Sequence, residues 1–193
     1  MGKFIAKLWF KLAGWTVNPV VPKEANHCVM IAAPHTTNWD FIYMRLAFYI
    51  LDIPMKVAIK DYWTKMFFFG PIIRALGGIG INRSPKKPGE KRRSMVEAMA
   101  EVIENNDNIA MVIAIEGTRK PVKRWRMGFY HTAVEANAPI TFGYLDYAQK
   151  IAGVGGAIHP TGDVQADMKI ILDFYKSIAP KFPENFVLDE RYA

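Results

Sequence analysis

A single cysteine, Cys28, stands in a chain of 193 residues, which excludes any internal disulfide and fits a reducing compartment. Long hydrophobic runs are lacking too: no stretch reaches the roughly 18–20 uninterrupted apolar residues that a membrane-crossing helix requires. A transmembrane bundle is therefore not expected. The first residues carry no small-residue cleavage site of the kind that ends a secretory signal. Met1-Gly2 opens like a myristoylation signal, but Ala6 stands where Ser or Thr is needed. Histidines are few and scattered: His27, His35, His131 and His159 have no carboxylate or cysteine at zinc-ligand spacing, so no metal is expected. Gly78 and Gly80 have the first spacing of a dinucleotide fingerprint, yet Arg83 occupies the third position and no helix opens there. Internal repeats and low-complexity linkers are absent as well.

Acidic side chains are the minority. With 25 Lys and Arg against 18 Asp and Glu, the formal net charge is +7, which favours an anionic partner: nucleic acid, phospholipid or a phosphorylated ligand. Hydrophobic residues make up 51% of the chain, enough for one sizeable core, and one domain over residues 1–193 is expected.

The segment Lys3–Leu12 is two-faced at 3.6 residues per turn, with Lys3, Lys7 and Lys11 aligned against Phe4, Ile5, Leu8, Trp9 and Leu12. That pattern suits a helix lying in a membrane interface, and residues 1–20 are read as membrane-associating. A terminal helix docked on its own domain would show the same periodicity.

From here strands and helices alternate. Cys28–Ala33 reads as a buried strand that Pro34 ends, Thr37 or Asn38 can cap a helix over Trp39–Ile50, and Met55–Lys60 reads as a second strand. An aromatic stretch from Tyr62 to Phe69 breaks at Gly70-Pro71, and a short helix through Ile72, Ile73 and Leu76 leads to a Gly-Ile strand ending at Arg83. The basic loop from Arg83 to Ser94, with Lys86, Lys87, Pro88 and Gly89, enters a helix that runs to about Glu104. A strand over Ile109–Ile115 delivers Glu116-Gly117-Thr118-Arg119, and the basic residues Lys120, Lys123, Arg124 and Arg126 lead into a helix through Tyr130 and Ala136. A strand from Ala138 onward, continued by Tyr144 and Tyr147, a glycine-rich strand or hairpin over Ile151–Ile158, and a helix over Asp163–Ile178 complete the chain. This alternation argues an α/β fold, with a central largely parallel or mixed sheet and helices on both faces.

Ligands of such sheets bind beyond the carboxyl ends of the strands. His35 with Asp40, Arg83, and Glu116 to Arg119 all fall at predicted strand ends, and they converge if those strands are parallel neighbours. His35 and Asp40 are five positions apart across a strand-to-helix loop. A reversing loop lets the carboxylate reach the imidazole, holding one ring nitrogen and leaving the other to take a proton. Cys28 lies inside an apolar strand, where a thiolate is disfavoured, and is not expected to be a nucleophile.

Four blocks in this order resemble the glycerolipid acyltransferases typified by 1-acylglycerol-3-phosphate acyltransferase. They are His35 with Asp40, the Gly-Ile strand ending at Arg83, the run Glu116-Gly117-Thr118-Arg119, and Pro139-Ile140. The resemblance spans about residues 30–145, and a catalytic core over 27–145 is expected; Lys60 matches a lysine common between the first two blocks. It implies His35 as general base and Asp40 as its orienter. It also implies Arg83, Thr118, Arg119 and Lys60 around an acceptor phosphate, with Glu116 and Gly117 in support. Glu116 would fix Arg83, Arg119 or Lys60 or bond a substrate hydroxyl, and amides near Gly117 and after His35 would be oxyanion donors.

The implied substrates are a lysolipid and acyl-CoA or acyl carrier protein; no cofactor is required, and the site of action is the cytoplasmic face of a membrane. Gly80 and Asn82 stand where the family often has an aromatic and a second charged residue, and Lys120 replaces a usual serine. Gly80 would enlarge a pocket near the acceptor, and a different lysolipid headgroup is the alternative. A non-enzymatic nucleic-acid-binding module is the alternative of another class, but it predicts interleaved aromatic and basic residues, whereas Phe67 to Phe69 form an apolar cluster.

Overall fold

The computed structural model describes residues 2–85 and 91–192, so residues 86–90 of the expected basic loop lie outside the described residues. The helices are α1 (Gly2–Ala13), α2 (Trp39–Leu51), α3 (Asp61–Thr64), α4 (Phe69–Ala75), α5 (Met95–Glu104), α6 (Gly128–Glu135) and α7 (Val164–Tyr175). The strands are β1 (Thr16–Val17), β2 (His27–Ala32), β3 (Met55–Lys60), β4 (Gly78–Ile81), β5 (Ile109–Ile113), β6 (Ile140–Asp146) and β7 (Ile151–Ile158).

The strands form one seven-stranded sheet in the order β1-β7-β6-β2-β5-β3-β4. All neighbours are parallel except β6 and β7, which pair antiparallel as a hairpin. The expected α/β fold is thus present, with a mixed sheet. Central β2 and β5 read as unbroken apolar runs because helices cover both of their faces. Val29, Ile31 and Met111 pack with α5, α6 and α7 on one side. Cys28, Met30 and Val112 pack with α1 and α2 on the other.

The short β4 shows how side-chain parity assigns the remaining helices. Ile79 and Ile81 face the α5–α6 side. Gly78 and Gly80 face the opposite side, where a Cβ on Gly78 would stand 2.5 Å from the Ile73 side chain and one on Gly80 would stand 2.6 Å from Asp61 Oδ1 and Thr64 Oγ1. These glycines let α3 and α4 sit directly on the strand, in the same layer as α1 and α2. The expectation that Gly80 enlarges a pocket is corrected here: α3 occupies its open side. α3 itself and the two-residue β1 are also departures, since each is too short to carry a periodicity.

α1 docks on the body and also keeps an apolar face outward. Ala6 and Phe10 are buried, and Phe10 packs against Trp15 and Tyr43 at ring separations of 6.2 and 6.0 Å. Lys3 pairs with Asp52 at the end of α2. Phe4, Ile5, Leu8, Trp9 and Leu12 remain exposed. No helix among the described residues is long and apolar enough to cross a membrane.

Candidate active site

The loop between β2 and α2 turns back on itself through Asp40. Its Oδ2 accepts the backbone N–H groups of Thr36 and Thr37 at 2.8 and 2.9 Å, so the carboxylate in the first turn of α2 pins the loop that precedes the helix. The side chain of Asn38 makes no capping bond; Thr37 Oγ1 accepts weakly from the Trp39 N–H at 3.4 Å. The same Oδ2 lies 3.2 Å from His35 Nδ1. The arrangement assigns the proton on Nδ1 to Asp40 and leaves Nε2 as acceptor. The His35 side chain is 21% exposed while Asp40 is buried, so the base is reachable and its orienter is shielded from water.

Two further groups fix this loop. Glu116, at the end of β5, accepts the His35 backbone N–H through both carboxylate oxygens at 3.1 Å. It is buried at 3% exposure, and that burial pushes its carboxyl up from the ordinary 4.5 to about 7, outweighing the lowering effect of the His35 N–H and imidazole. No ion pair joins Glu116 to Lys60, Arg83 or Arg119 among the described residues; its bonds go to the backbone that carries the base. Tyr147, just after β6, donates its O–H to Asp40 Oδ1 at 2.7 Å. Burial first, then this bond, raises its phenol, which therefore stays a neutral donor. Trp15 and Tyr43 pack around the Tyr147 ring, with Trp15 edge-on at 4.9 Å.

A cavity of about 160 Å³ adjoins this pair under α2. His35, Asp40 and Tyr144 are its polar members, and Phe41, Met44, Val57, Val112 and Leu145 make its wall apolar. Cys28 is not a nucleophile: it is fully buried, its sulfur bonds Thr141 Oγ1 at 3.1 Å, and burial pushes the thiol up to about 12.

Parallel pairing places the ends of β2, β5, β3 and β4 side by side along one edge of the sheet. Lys60 and Arg83 share a second, open cavity of about 510 Å³ that also takes in Tyr62, Asn82, Ser84 and Arg92. Arg83 Nε donates to the Arg93 carbonyl at 2.9 Å, which aims the guanidinium. Arg93 in turn ties Ser84 and Asn82 to α5 through bonds to their carbonyls and to Glu101. This cavity lies at the ends of β3 and β4, two to three strand spacings from β2, about 10–14 Å.

Thr118 and Arg119 lie in the turn that follows β5 and line neither cavity; Arg119 is exposed, and Thr118 Oγ1 accepts from the Lys120 N–H at 3.3 Å. Gly117 has φ +66°, a conformation that favours glycine. Its open side is covered by Arg126, whose Nε would stand 2.4 Å from a Cβ there. Three of the amides in the stretches expected to bind an oxyanion are engaged otherwise: Gly117 N–H donates to Ala114 O at 3.1 Å, and those of Thr36 and Thr37 serve Asp40.

Sequence reasoning passed over Tyr147, read only as a strand residue, and Arg126, read only as part of a basic run. Tyr147 carries no motif, and nothing local marks it. Arg126 was within reach of the charge pattern but not its place over Gly117.

The fold has a counterpart among solved structures. The crystal structure of PlsC, the 1-acyl-sn-glycerophosphate (LPA) acyltransferase of Thermotoga maritima, superposes with a TM-score of 0.55 at 14% identity, covering 93% of this chain and 80% of that one, a likeness of fold. No curated protein sequence matches significantly. The family model described as Acyltransferase matches residues 17–142, from β1 into β6 and across every strand end described above. By that match, which covers more than half of its length, the chain belongs to the acyltransferase family.

Proposed function

We propose that the chain moves a fatty acyl group from the thioester of acyl-CoA or acyl carrier protein to the hydroxyl of a lysolipid. The leading acceptor is 1-acylglycerol-3-phosphate, which would give phosphatidic acid. The observation that carries this reading is the His35–Asp40 pair, 3.2 Å apart on the wall of an apolar cavity. His35 Nε2 takes the proton of the acceptor hydroxyl as its oxygen forms a bond to the thioester carbonyl carbon. The C–S bond then breaks and the departing sulfur recovers the proton from the imidazolium, so His35 ends neutral and no acyl-enzyme intervenes. Asp40 orients the ring and offsets its transient charge; Tyr147 and the Thr36 and Thr37 amides hold Asp40 in place.

The apolar cavity receives the acyl chain, the basic cavity with Lys60 and Arg83 receives the acceptor phosphate, and the exposed Arg119 supplies a further guanidinium. The outward face of α1, with Lys7 and Lys11 beside it, keeps the protein at the cytoplasmic face of an anionic membrane. A panel of lysolipids offered with acyl-CoA and with acyl carrier protein tests the reading. Turnover of lysophosphatidic acid above lysophosphatidylcholine and monoacylglycerol is expected. Turnover of none of them would overturn it, and preference for another headgroup would replace the acceptor.

A further inference from the structure

The layer that holds α1 also carries a second outward apolar surface, on α3, α4 and the turn between them. Phe67 and Phe68 are 85% and 77% exposed, and Trp63, Phe69 and Ile72 are exposed beside them. The segment turns Thr64 and Ile73 toward the strand, where they meet Gly80 and Gly78, and leaves the aromatic side chains outward, with Tyr62 against Trp63 and Phe67 against Phe68. Exposed large hydrophobic side chains outside the layer, Val20, Met95, Val134, Ile170 and Phe182, are dispersed over separate segments. Singly exposed apolar residues need no explanation, whereas a contiguous patch marks an interface.

α2 joins the two surfaces. Its Tyr49 lies 3.5 Å from where a Cβ on Gly2 would stand, at the start of α1, and donates its O–H to the Ala75 carbonyl, at the end of α4, at 3.2 Å. α1 and α4 therefore flank the same stretch of α2, and Ile42 of that helix is exposed as well. The charges around the second patch are cationic: Lys60 and Arg74 are exposed, and the carboxylate near them, Asp61, is paired with Lys65 at 2.5 Å. Aromatic rings with cations around them match an anionic bilayer interface.

We infer that Trp63, Phe67, Phe68, Phe69 and Ile72 form a second membrane-docking surface, which acts with α1 to seat the layer of α1 to α4 on an anionic bilayer. Tyr62 belongs to the same aromatic segment and lines the cavity of Lys60 and Arg83. The bilayer contact therefore borders the basic cavity, so a lysolipid can place its headgroup there while its chain stays in the membrane. That use of the surface rests on the proposed acyltransferase reading; the docking does not, and the experiment reads docking alone.

In the full chain, an environment-sensitive thiol label is placed at Phe68→Cys, at Leu12→Cys on α1 and at Ile170→Cys on α7, with Cys28 left in its buried position. Vesicles of phosphatidylcholine and phosphatidylglycerol carry a nitroxide lipid as quencher. Quenching at positions 68 and 12 but not at 170 is expected. Quenching at 12 with none at 68 overturns the inference, because α1 then docks alone. A response at 68 to protein concentration without vesicles overturns it in favour of a second copy, and a response to acyl carrier protein alone overturns it in favour of that partner. The double variant F67S/F68S should lower the vesicle partition constant about tenfold or more with unchanged circular dichroism. An unchanged constant counts equally against it.

Discussion

The hydroxyl of Tyr147 donates to Asp40 Oδ1 at 2.7 Å, the carboxylate oxygen that does not face His35. Both oxygens of Asp40 are thus held, one by the phenol and one by the imidazole and two amides, and the orienting carboxylate has a single available position.

Tyr147→Phe keeps the ring that packs with Trp15 and Tyr43 and removes only the O–H. Hydrogen bonds to charged groups contribute about 1.5–3 kcal/mol. A fall in kcat of about tenfold or more is expected, with the acceptor KM little changed, in steady-state acyl-transfer kinetics. An unchanged kcat would leave Tyr147 with a packing role alone.

His35→Ala and Asp40→Ala should separate activity from stability. His35→Ala removes the base and should lower turnover by about 10²–10⁴-fold while the urea midpoint stays close to wild type. Asp40→Ala also leaves the Thr36 and Thr37 amides without their acceptor, and should cost about 1–3 kcal/mol of unfolding free energy in addition to activity. Equal midpoints for the two variants would show that the Thr36 and Thr37 bonds to Asp40 contribute nothing to stability.

Glu116 should make stability fall towards alkaline pH. Its folded carboxyl titrates near 7 against an ordinary 4.5, so the folded state holds the proton more tightly than the unfolded chain. The associated stability is fully present below about pH 4.5 and is lost as pH rises through about 7. Relative to Glu116→Gln, the wild type should lose up to about 3 kcal/mol between pH 5 and 8, measured by urea unfolding across that range. A pH-independent difference would show that the carboxyl does not titrate there.

Arg83→Ala and Arg119→Ala should raise the KM for lysophosphatidic acid about tenfold or more, with smaller effects on kcat. With monoacylglycerol, which has no phosphate, the same variants should match the wild type. Equal losses on both acceptors would remove the phosphate-binding role.

How much of this was legible in the chain depends on the range of each interaction. The strands at Met55–Lys60 and Ile151–Ile158 fall on the expected residues, because short stretches of apolar and small residues bounded by turn residues are local signals. The His35–Asp40 contact was legible for the same reason: a reversing loop of five residues closes it. The Glu116 bond to the His35 backbone was not, since it spans 81 positions and depends on β5 lying beside β2. Gly80 was misread because a sequence shows that space is left but not that Asp61 and Thr64 fill it.

The sequence by itself determined the alternation of strands and helices, the excess of positive charge, and the placing of His35, Lys60, Arg83 and Glu116 to Arg119 at the ends of strands. Those properties follow from the periodicity and chemistry of neighbouring residues. Only the tertiary structure decided that β2, β5, β3 and β4 are parallel neighbours, that Tyr147 reaches Asp40 across 107 positions, and that the aromatic side chains of α3 and α4 share a layer with α1. Strand order and layer assignment are set by which faces bury together, and that is a property of the whole core rather than of any stretch of chain.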